Sequence, residues 1–127
     1  MVLLDTSVVI DVLRESAVAR RWLIELDEVP ACSEVTRAEI LHGVRSPERV
    51  VTERLLQTLR WAAVDESVSR RAGEFGRHYR RSHPDLSVAD LLIGATALVL
   101  DAPLATANVR HFPMFAGLQP PYRDEAS

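Results

Sequence analysis

Three acidic residues stand in contexts that set them apart from the other carboxylates of the chain. Asp5 follows an apolar run and precedes two hydroxyl residues in VLLDTSVVID, residues 2–11. Glu39 ends the stretch TRAE, and Asp90 ends the stretch SVAD. Clustered carboxylates repel one another unless a cation offsets their charge, and oxygen-only sets suit Mg2+ or Mn2+. If these acids converge, the chemistry they favour is metal-assisted attack on a phosphodiester.

Helix capping is the alternative explanation for each of these acids. TRAE, residues 36–39, fits the S/T-x-x-E capping box, SVAD is a similar pattern with Asp in the last place, and Asp5 itself is able to cap a following helix. Asp90 and Thr96 are the only polar side chains of an otherwise apolar helix, which we expect to be largely buried. A cap contributes about 0.5–2 kcal/mol, whereas an unpaired ionised carboxylate in such surroundings costs several kcal/mol. Capping alone is therefore a weak reason for Asp90.

Strands and helices alternate along the chain. Short apolar runs predict strands over residues 2–5, 29–32, 61–64 and 103–106. Amphipathic or apolar patterns predict helices over residues 6–15, 17–28, 34–45, 47–59, 66–82 and 87–100. This alternation predicts an α/β domain with a central, mainly parallel sheet flanked by helices.

The predicted architecture suggests where the acids lie. In open α/β sheets, ligands bind outside the carboxyl ends of the strands. Asp5 ends the first predicted strand, while Thr106 and Asn108 follow the last one. If these two strands are neighbours, their ends share one crevice.

Length and cysteine content indicate one domain in a reducing compartment. The 127 residues suit a single domain, 1–127, whose end, QPPYRDEAS, we expect to be a loose tail over 119–127. The single Cys32 forms no internal disulfide, the N-terminus lacks the features of a secretory signal, and the longest apolar stretch is too short for a bilayer. We therefore expect a cytoplasmic protein.

The charge of the chain is uneven. The net charge of −3 argues against a protein that coats nucleic acid non-specifically. All basic residues are arginines, and RRAGEFGRHYRRSH, residues 70–83, holds five of them with two histidines and one glutamate. This stretch is either a solvated helix face or a basic patch for a phosphate backbone.

Several other classes of site are disfavoured. No Cys/His spacing suits zinc, and there is no G-x-S-x-G, P-loop or dinucleotide motif. His42, on the helical stripe of Glu39, is expected to pack against the core. A phospho-acceptor receiver domain has a similar size and acids near its strand ends, but it needs a lysine after a late strand, and the chain has no lysine.

Four blocks, in this order, resemble the PIN-domain ribonucleases of the VapC toxin type. They are VLLDTSVVID, TRAEILHGV, LSVADLLIGATAL and LATANVRHF, and together they extend over almost the whole chain. The resemblance implies that Asp5, Glu39 and Asp90 are the catalytic acids, with Asp5 and Asp90 holding Mg2+, for which Mn2+ can substitute. It also implies that Thr6 is the hydroxyl residue that helps to hold the first acidic loop.

The last block departs from the fullest form of the family pattern. Thr106 and Asn108 match a polar cluster that includes a fourth acid in that pattern, but LATANVRHF has no acid. A second metal position is therefore in doubt. Arg110 and His111 lie in the same block and are candidate contacts for RNA phosphates.

The function implied by the resemblance is a Mg2+-dependent endoribonuclease toxin. Such an enzyme hydrolyses structured RNA, such as transfer or ribosomal RNA, leaves a 5′-phosphate and forms a homodimer. A small cognate antitoxin covers its active site. The alternative is a catalytically degenerate PIN domain that binds RNA or a partner without cleavage, and the absent fourth acid favours that reading.

Overall fold

A parallel sheet of four short strands forms the centre of the computed structural model, which describes residues 1–123. The strands are β1 (Leu3–Leu4), β2 (Ala31–Ser33), β3 (Arg60–Ala62) and β4 (Leu104–Ala105). Their order across the sheet is β3-β2-β1-β4, and each neighbouring pair is parallel. The predicted α/β class is therefore confirmed, and β1 and β4 are neighbours.

Six α-helices surround this sheet within the described part of the chain. They are α1 (Thr6–Leu13), α2 (Ala17–Ile24), α3 (Glu34–Gly43), α4 (Arg49–Gln57), α5 (Glu66–Tyr79) and α6 (Val88–Val99). Short 3₁₀ turns precede α4 at Ser46–Glu48 and follow β4 at Val109–His111. Every predicted helix and strand is present, and the differences lie at their ends.

All six helices end earlier than predicted, and the difference is largest for α2 and α5. α5 ends at Tyr79, not at residue 82, because the helical conformation is disfavoured for His83, which precedes Pro84. The His83 N–H instead closes a turn onto the Tyr79 carbonyl at 2.8 Å. α2 ends at Ile24, whose side chain is 81% exposed, so no apolar contact extends this helix to residue 28.

Both faces of the sheet are covered by apolar clusters. Successive strand residues point to opposite faces. Leu4 therefore packs with α1, α3 and α4, whereas Leu3 packs with α6 and with Phe112, which follows β4. The third cluster lies between α5 and α6, around Val68 and Ala95. Coverage of both faces explains why the strands are apolar runs and do not alternate with polar residues.

The structure agrees with one expectation about burial and corrects another. α6 is largely buried, as expected, over Leu91 and residues 93–97, whereas its ends are exposed, with Val88 at 70%. His42 is exposed and does not pack against the core, because it lies near the end of α3 beyond the last buried residue of that helix, Ile40.

The C-terminal segment contacts the body of the domain through one aromatic side chain. The Tyr122 hydroxyl donates a hydrogen bond to Asp11 Oδ2 at 2.6 Å, and its ring lies 5.9 Å from that of Trp22. Of the predicted tail, residues 124–127 lie outside the described residues. Within residues 1–123, the helices are all too short or too polar to cross a membrane.

Candidate active site

Asp5 lies where the carboxyl ends of β1 and β4 meet. Its backbone N–H donates to the Ala105 carbonyl at 2.8 Å, which continues the pairing of the two strands. The residue is only 4% exposed. It occupies the N-cap position of α1, but its carboxylate makes no capping hydrogen bond. The capping explanation for Asp5 is therefore wrong, since its side chain turns to other partners.

Two hydroxyl groups hold one oxygen of this carboxylate. Ser7 Oγ and Thr106 Oγ1 each donate to Asp5 Oδ2 at 2.7 Å. These hydroxyls in turn accept hydrogen bonds from backbone N–H groups, Ser7 from Ala107 at 3.1 Å and Thr106 from Asn108 at 2.9 Å. The loop after β4 is thus tied to Asp5 by two parallel relays. Both relays use Oδ2, so Oδ1 remains available to a ligand.

Ser7 is a residue of the site that the sequence patterns do not single out. A hydroxyl has one proton to donate, and both Ser7 and Thr106 give theirs to Asp5. Ser7 Oγ and Thr106 Oγ1 are 3.4 Å apart, and they therefore do not form a hydrogen bond with each other. The two hydroxyl residues after Asp5 in VLLDTSVVID indicate that a hydroxyl group is available to this acid. The sequence does not show which of the two donates a hydrogen bond to Asp5.

Glu39 is held by the other hydroxyl residue. Thr6 Oγ1 donates to Glu39 Oε1 at 2.7 Å and lies 2.9 Å from Thr36 Oγ1. Because Thr6 has given its proton to the carboxylate, the fully buried Thr36 must be the donor in the second contact. Thr36 is a further residue that the sequence analysis did not include in the site.

The capping explanation for Glu39 is also wrong. α3 begins at Glu34, and its cap is Ser33, whose hydroxyl accepts from the Val35 N–H at 3.1 Å. Glu39 therefore lies in the middle of the helix, where no N–H groups are free. Its exposed side chain is anchored only through Thr6 in the contacts that we observe within residues 1–123.

Asp90, in contrast, does take part in a capping box. Ser87 Oγ accepts from the Asp90 N–H at 3.0 Å, and Asp90 Oδ2 accepts from the Ser87 N–H at 3.3 Å. The same Oδ2 lies 3.4 Å from His111 Nδ1, and the Asp90 side chain is 18% exposed. Capping and proximity to His111 thus coexist, and Asp90 retains access to solvent.

The residues after β4 differ in their contacts with the site. His111 turns to Asp90, whereas Asn108 and Arg110 are exposed, and Asn108 joins the site through its backbone N–H. A cleft of about 530 Å³ lies beside Arg110 and His111. Another, of about 390 Å³, lies beside Glu39.

A closed metal cage is not formed by these acids. Among residues 1–123, no group of three or more His, Cys, Asp or Glu side chains is close enough to enclose a metal ion. Mg2+, however, is usually bound by one or two carboxylates and completes its coordination with water. The Asp5 carboxylate is nearly buried and accepts hydrogen bonds from two hydroxyl groups. Within the described chain, no basic side chain lies within 4.0 Å of it. This donor chemistry fits a hard divalent cation.

Comparisons with known proteins identify the family of the chain. The family model of the PIN domain matches residues 2–117. Ribonuclease VapC19 of Mycobacterium tuberculosis is 46% identical over 125 residues, which cover 96% of this chain and 100% of that protein. Ribonuclease VapC10 of the same organism is 46% identical over 124 residues, which cover 96% of this chain and 93% of that protein.

Solved structures share the fold. A toxin-antitoxin complex from Klebsiella pneumoniae has a TM-score of 0.82 at 24% identity, covering 96% of this chain and 98% of that one. VapBC2 from Rickettsia felis, bound to a DNA fragment from its promoter, has a TM-score of 0.77 at 19% identity, covering 87% and 90%. FitAcB from Neisseria gonorrhoeae has a TM-score of 0.72 at 30% identity, covering 88% and 91%. The sheet and the surrounding helices therefore belong to one known fold.

Proposed function

The chain belongs to the PIN domain family, and from this premise we propose that it is a Mg2+-dependent endoribonuclease, the toxin of a toxin–antitoxin pair. One observation carries the proposal. Asp5 is 4% exposed at the joined ends of β1 and β4, and hydroxyl groups orient it without neutralising it. A nearly buried carboxylate of this kind favours a cation as a neighbour, and within residues 1–123 no basic side chain lies within 4.0 Å of it.

The acids have distinct roles in this proposal. Asp5 and Asp90 hold the metal ion, with Mn2+ able to substitute for Mg2+. When bound, the ion stabilises the negative charge that develops on the phosphate. Glu39 orients or deprotonates the attacking water through Oε2, because Thr6 occupies its Oε1. The oxygen of water then bonds to phosphorus, and the P–O3′ bond breaks, so that one product carries a 5′-phosphate and the 3′-oxygen takes a proton.

The other site residues position these acids. Ser7 and Thr106 fix the rotamer of Asp5, Thr6 and Thr36 fix that of Glu39, and Asn108 supports Thr106 through its backbone N–H. Arg110 and His111 are proposed to contact RNA phosphates near Asp90. Since the loop after β4 has no acid, the proposal needs only one metal position.

The substrate and partners are part of the same proposal. The substrate is a structured cytoplasmic RNA, such as transfer or ribosomal RNA, and two copies of the chain form the active homodimer. A small cognate antitoxin covers the acids and supplies a basic side chain to them. The mycobacterial relatives, which are named ribonucleases, support the substrate class, and the Klebsiella pneumoniae structure, which is a toxin-antitoxin complex, supports the partner.

The test is cleavage of total cellular RNA by the purified chain, free of antitoxin. We expect discrete products with Mg2+ or Mn2+ and none with EDTA. Asp5→Asn and Asp90→Asn should each abolish cleavage without unfolding the domain, because each change removes a charge but keeps the side-chain shape. Circular dichroism checks the fold of each variant.

An exchange away from the acids is the matched control. Asp101→Asn removes the same charge from an exposed residue beyond the end of α6, so this variant should cleave as the parent does. Full cleavage by Asp5→Asn would refute the proposed site. Folded parent protein that binds RNA but cleaves none in either metal would instead support a catalytically degenerate binding module, the reading that the absent fourth acid favours.

A further inference from the structure

The arginines of α5 and of the turn that follows it fall into two groups. Arg70 pairs with Glu66 at 2.9 Å, and Arg71 pairs with Glu74 at 3.6 Å. Arg77, Arg80 and Arg81 are exposed and, within residues 1–123, have no carboxylate within 4.0 Å. The positive charge that is not offset therefore lies at the C-terminal end of the helix and just beyond it.

That end of α5 lies beside the start of α6. α5 and α6 pack together, and Gly76 approaches Leu91 so closely that a Cβ at position 76 would stand 3.2 Å from Leu91 Cδ1. Leu91 directly follows Asp90, the acid in the first turn of α6. The unpaired arginines are thus on the side of the molecule where Asp90 and its neighbour His111 lie.

Two clefts lie between these arginines and His111. The first, of about 290 Å³, is lined by residues that include Tyr79, Arg80 and His83. The second, of about 530 Å³, is lined by residues that include His83, Arg110 and His111. His83 lines both, so the two clefts adjoin at this residue, and together we call them the groove from Arg80 to His111. His111 Nδ1 lies 3.4 Å from Asp90 Oδ2.

The charge of this groove differs from that of the whole chain. Among residues 1–123, Asp85 is its only acidic lining residue, against two arginines and two histidines. The cleft beside Glu39, in contrast, is lined by two acids and two arginines. Tyr79 adds an aromatic ring that lies edge to face with His83, with the ring centroids 5.4 Å apart. Arginine with aromatic side chains is the combination that binds a single RNA strand, through phosphates and stacked bases.

We propose that the Arg80–His83–Arg110 groove binds a single strand of RNA and leads it to the acidic site. Arg80 and Arg110 bind phosphates, and Tyr79 stacks on a base. The inference rests on the proposed function for the fate of the RNA, but its binding step is independent of cleavage. It also explains how a chain of net charge −3 attracts RNA, since the groove supplies a local positive field.

The test is binding of a fluorescein-labelled oligouridine of about 20 nucleotides, longer than a single groove requires. Anisotropy is measured over a range of salt concentrations, in an Asp5→Asn background that keeps the RNA intact. We expect the Arg80→Gln/Arg110→Gln pair to weaken binding about tenfold at low salt. The slope of log affinity against log salt should fall by about 1.4, or about 0.7 for each lost phosphate contact. Tyr79→Leu should weaken binding without a change in this slope.

The matched control is the Arg70→Gln/Arg71→Gln pair, which removes the same charge from the first half of α5. It should change the affinity less than twofold, because those arginines are already paired with glutamates. Equal losses in both pairs would overturn the groove in favour of a general charge effect. Unchanged binding in the Arg80/Arg110 variant would overturn it as well, and the patch would then suit an acidic protein partner.

Cleavage by the parent chain separates the two proposals. RNA that is bound through the groove but never cut would refute the nuclease and leave the groove standing. Metal-dependent cleavage with unchanged binding and rate in the Arg80→Gln/Arg110→Gln variant would refute the groove and leave the nuclease standing.

Discussion

At the scale of single residues, hydroxyl groups decide how the acids of this site are presented. Ser7 and Thr106 hold Asp5, and Thr6 holds Glu39, all through donated hydrogen bonds of 2.7 Å. A basic side chain in the same places would cancel the negative charge, whereas a hydroxyl orients the carboxylate and leaves its charge available. The arrangement therefore favours a site that receives a cation over one that is complete by itself.

Replacement of Thr106 tests this positioning role. Thr106→Val keeps the shape but removes the donor to Asp5 and leaves the Asn108 N–H without its acceptor. We expect a loss of about 1–3 kcal/mol in the free energy of unfolding and at least a tenfold drop in RNA cleavage. Urea denaturation and the cleavage rate measure the two effects.

Thr96 is the matched control for this exchange. It is equally buried, but its hydroxyl donates to the Leu92 carbonyl of its own helix. Thr96→Val should alter the stability only slightly and leave cleavage unchanged. A Thr106→Val variant that cleaves at the parental rate would contradict the role of the relay.

At the scale of secondary-structure elements, the first turn of α6 serves both the helix and the site. The capping box between Ser87 and Asp90 satisfies backbone N–H groups at the start of this helix. The same interaction restrains the carboxylate beside His111. The capping box at the start of α6 therefore holds Asp90 in a position that is compatible with the role we propose for it.

Removal of the cap tests the coupling between these roles. Ser87→Ala should lower the free energy of unfolding by about 1 kcal/mol, the usual contribution of an N-cap. It should also slow RNA cleavage severalfold, because Asp90 loses its restraint. Thermal unfolding followed by circular dichroism gives the stability, and a cleavage time course gives the activity.

The cap of α2 provides the comparison. Ser16 Oγ accepts a hydrogen bond from the Ala19 N–H at 3.2 Å and so caps α2. None of the three candidate acids takes part in this cap. Ser16→Ala should cost a similar free energy of unfolding and leave cleavage as it was. If both variants slow cleavage equally, the effect of Ser87 is one of stability alone.

At the scale of the whole molecule, the sheet is enclosed on both faces, and Cys32 lies within that core at 0% exposure. Burial raises the pKa of the Cys32 thiol from its ordinary value of 9.0 to about 12. Well below pH 9.0 both the folded and the unfolded thiol are almost fully protonated, so stability hardly depends on this group. Between pH 9.0 and about 12 only the unfolded chain loses the proton, and stability falls as the pH rises.

The reactivity of Cys32 with a disulfide reagent measures this enclosure. At about pH 8, where an ordinary thiol is partly ionised, we expect the folded chain to react only as fast as it unfolds. The denatured chain should react completely within minutes. Ser82→Cys in a Cys32→Ala background places a thiol at an exposed position and should react rapidly in the folded state. Fast reaction of Cys32 in the folded parent would show that the core opens readily.

Sequence patterns were sufficient for the elements and for the class of fold. The apolar runs around Leu3 and Leu104 and the periodicity of the helices are local properties, so they predicted the alternating order and the parallel sheet. Helix ends were less accurate, because α2 stops where Ile24 finds no apolar partner and α5 stops ahead of the constraint set by Pro84. The four motif blocks predicted the family, which the comparisons confirmed.

Tertiary structure decided what the acids contact. Asp5 and Thr106 are about a hundred residues apart in the chain, and they meet only because β1 and β4 pair. Helix packing likewise makes Thr6, and not the first turn of α3, the hydrogen-bond partner of Glu39. It also places His111 beside Asp90. A local pattern shows which side chains are able to cap, bind or donate. The partner that each one meets depends on strand order and helix packing, which are set by the burial of the whole chain.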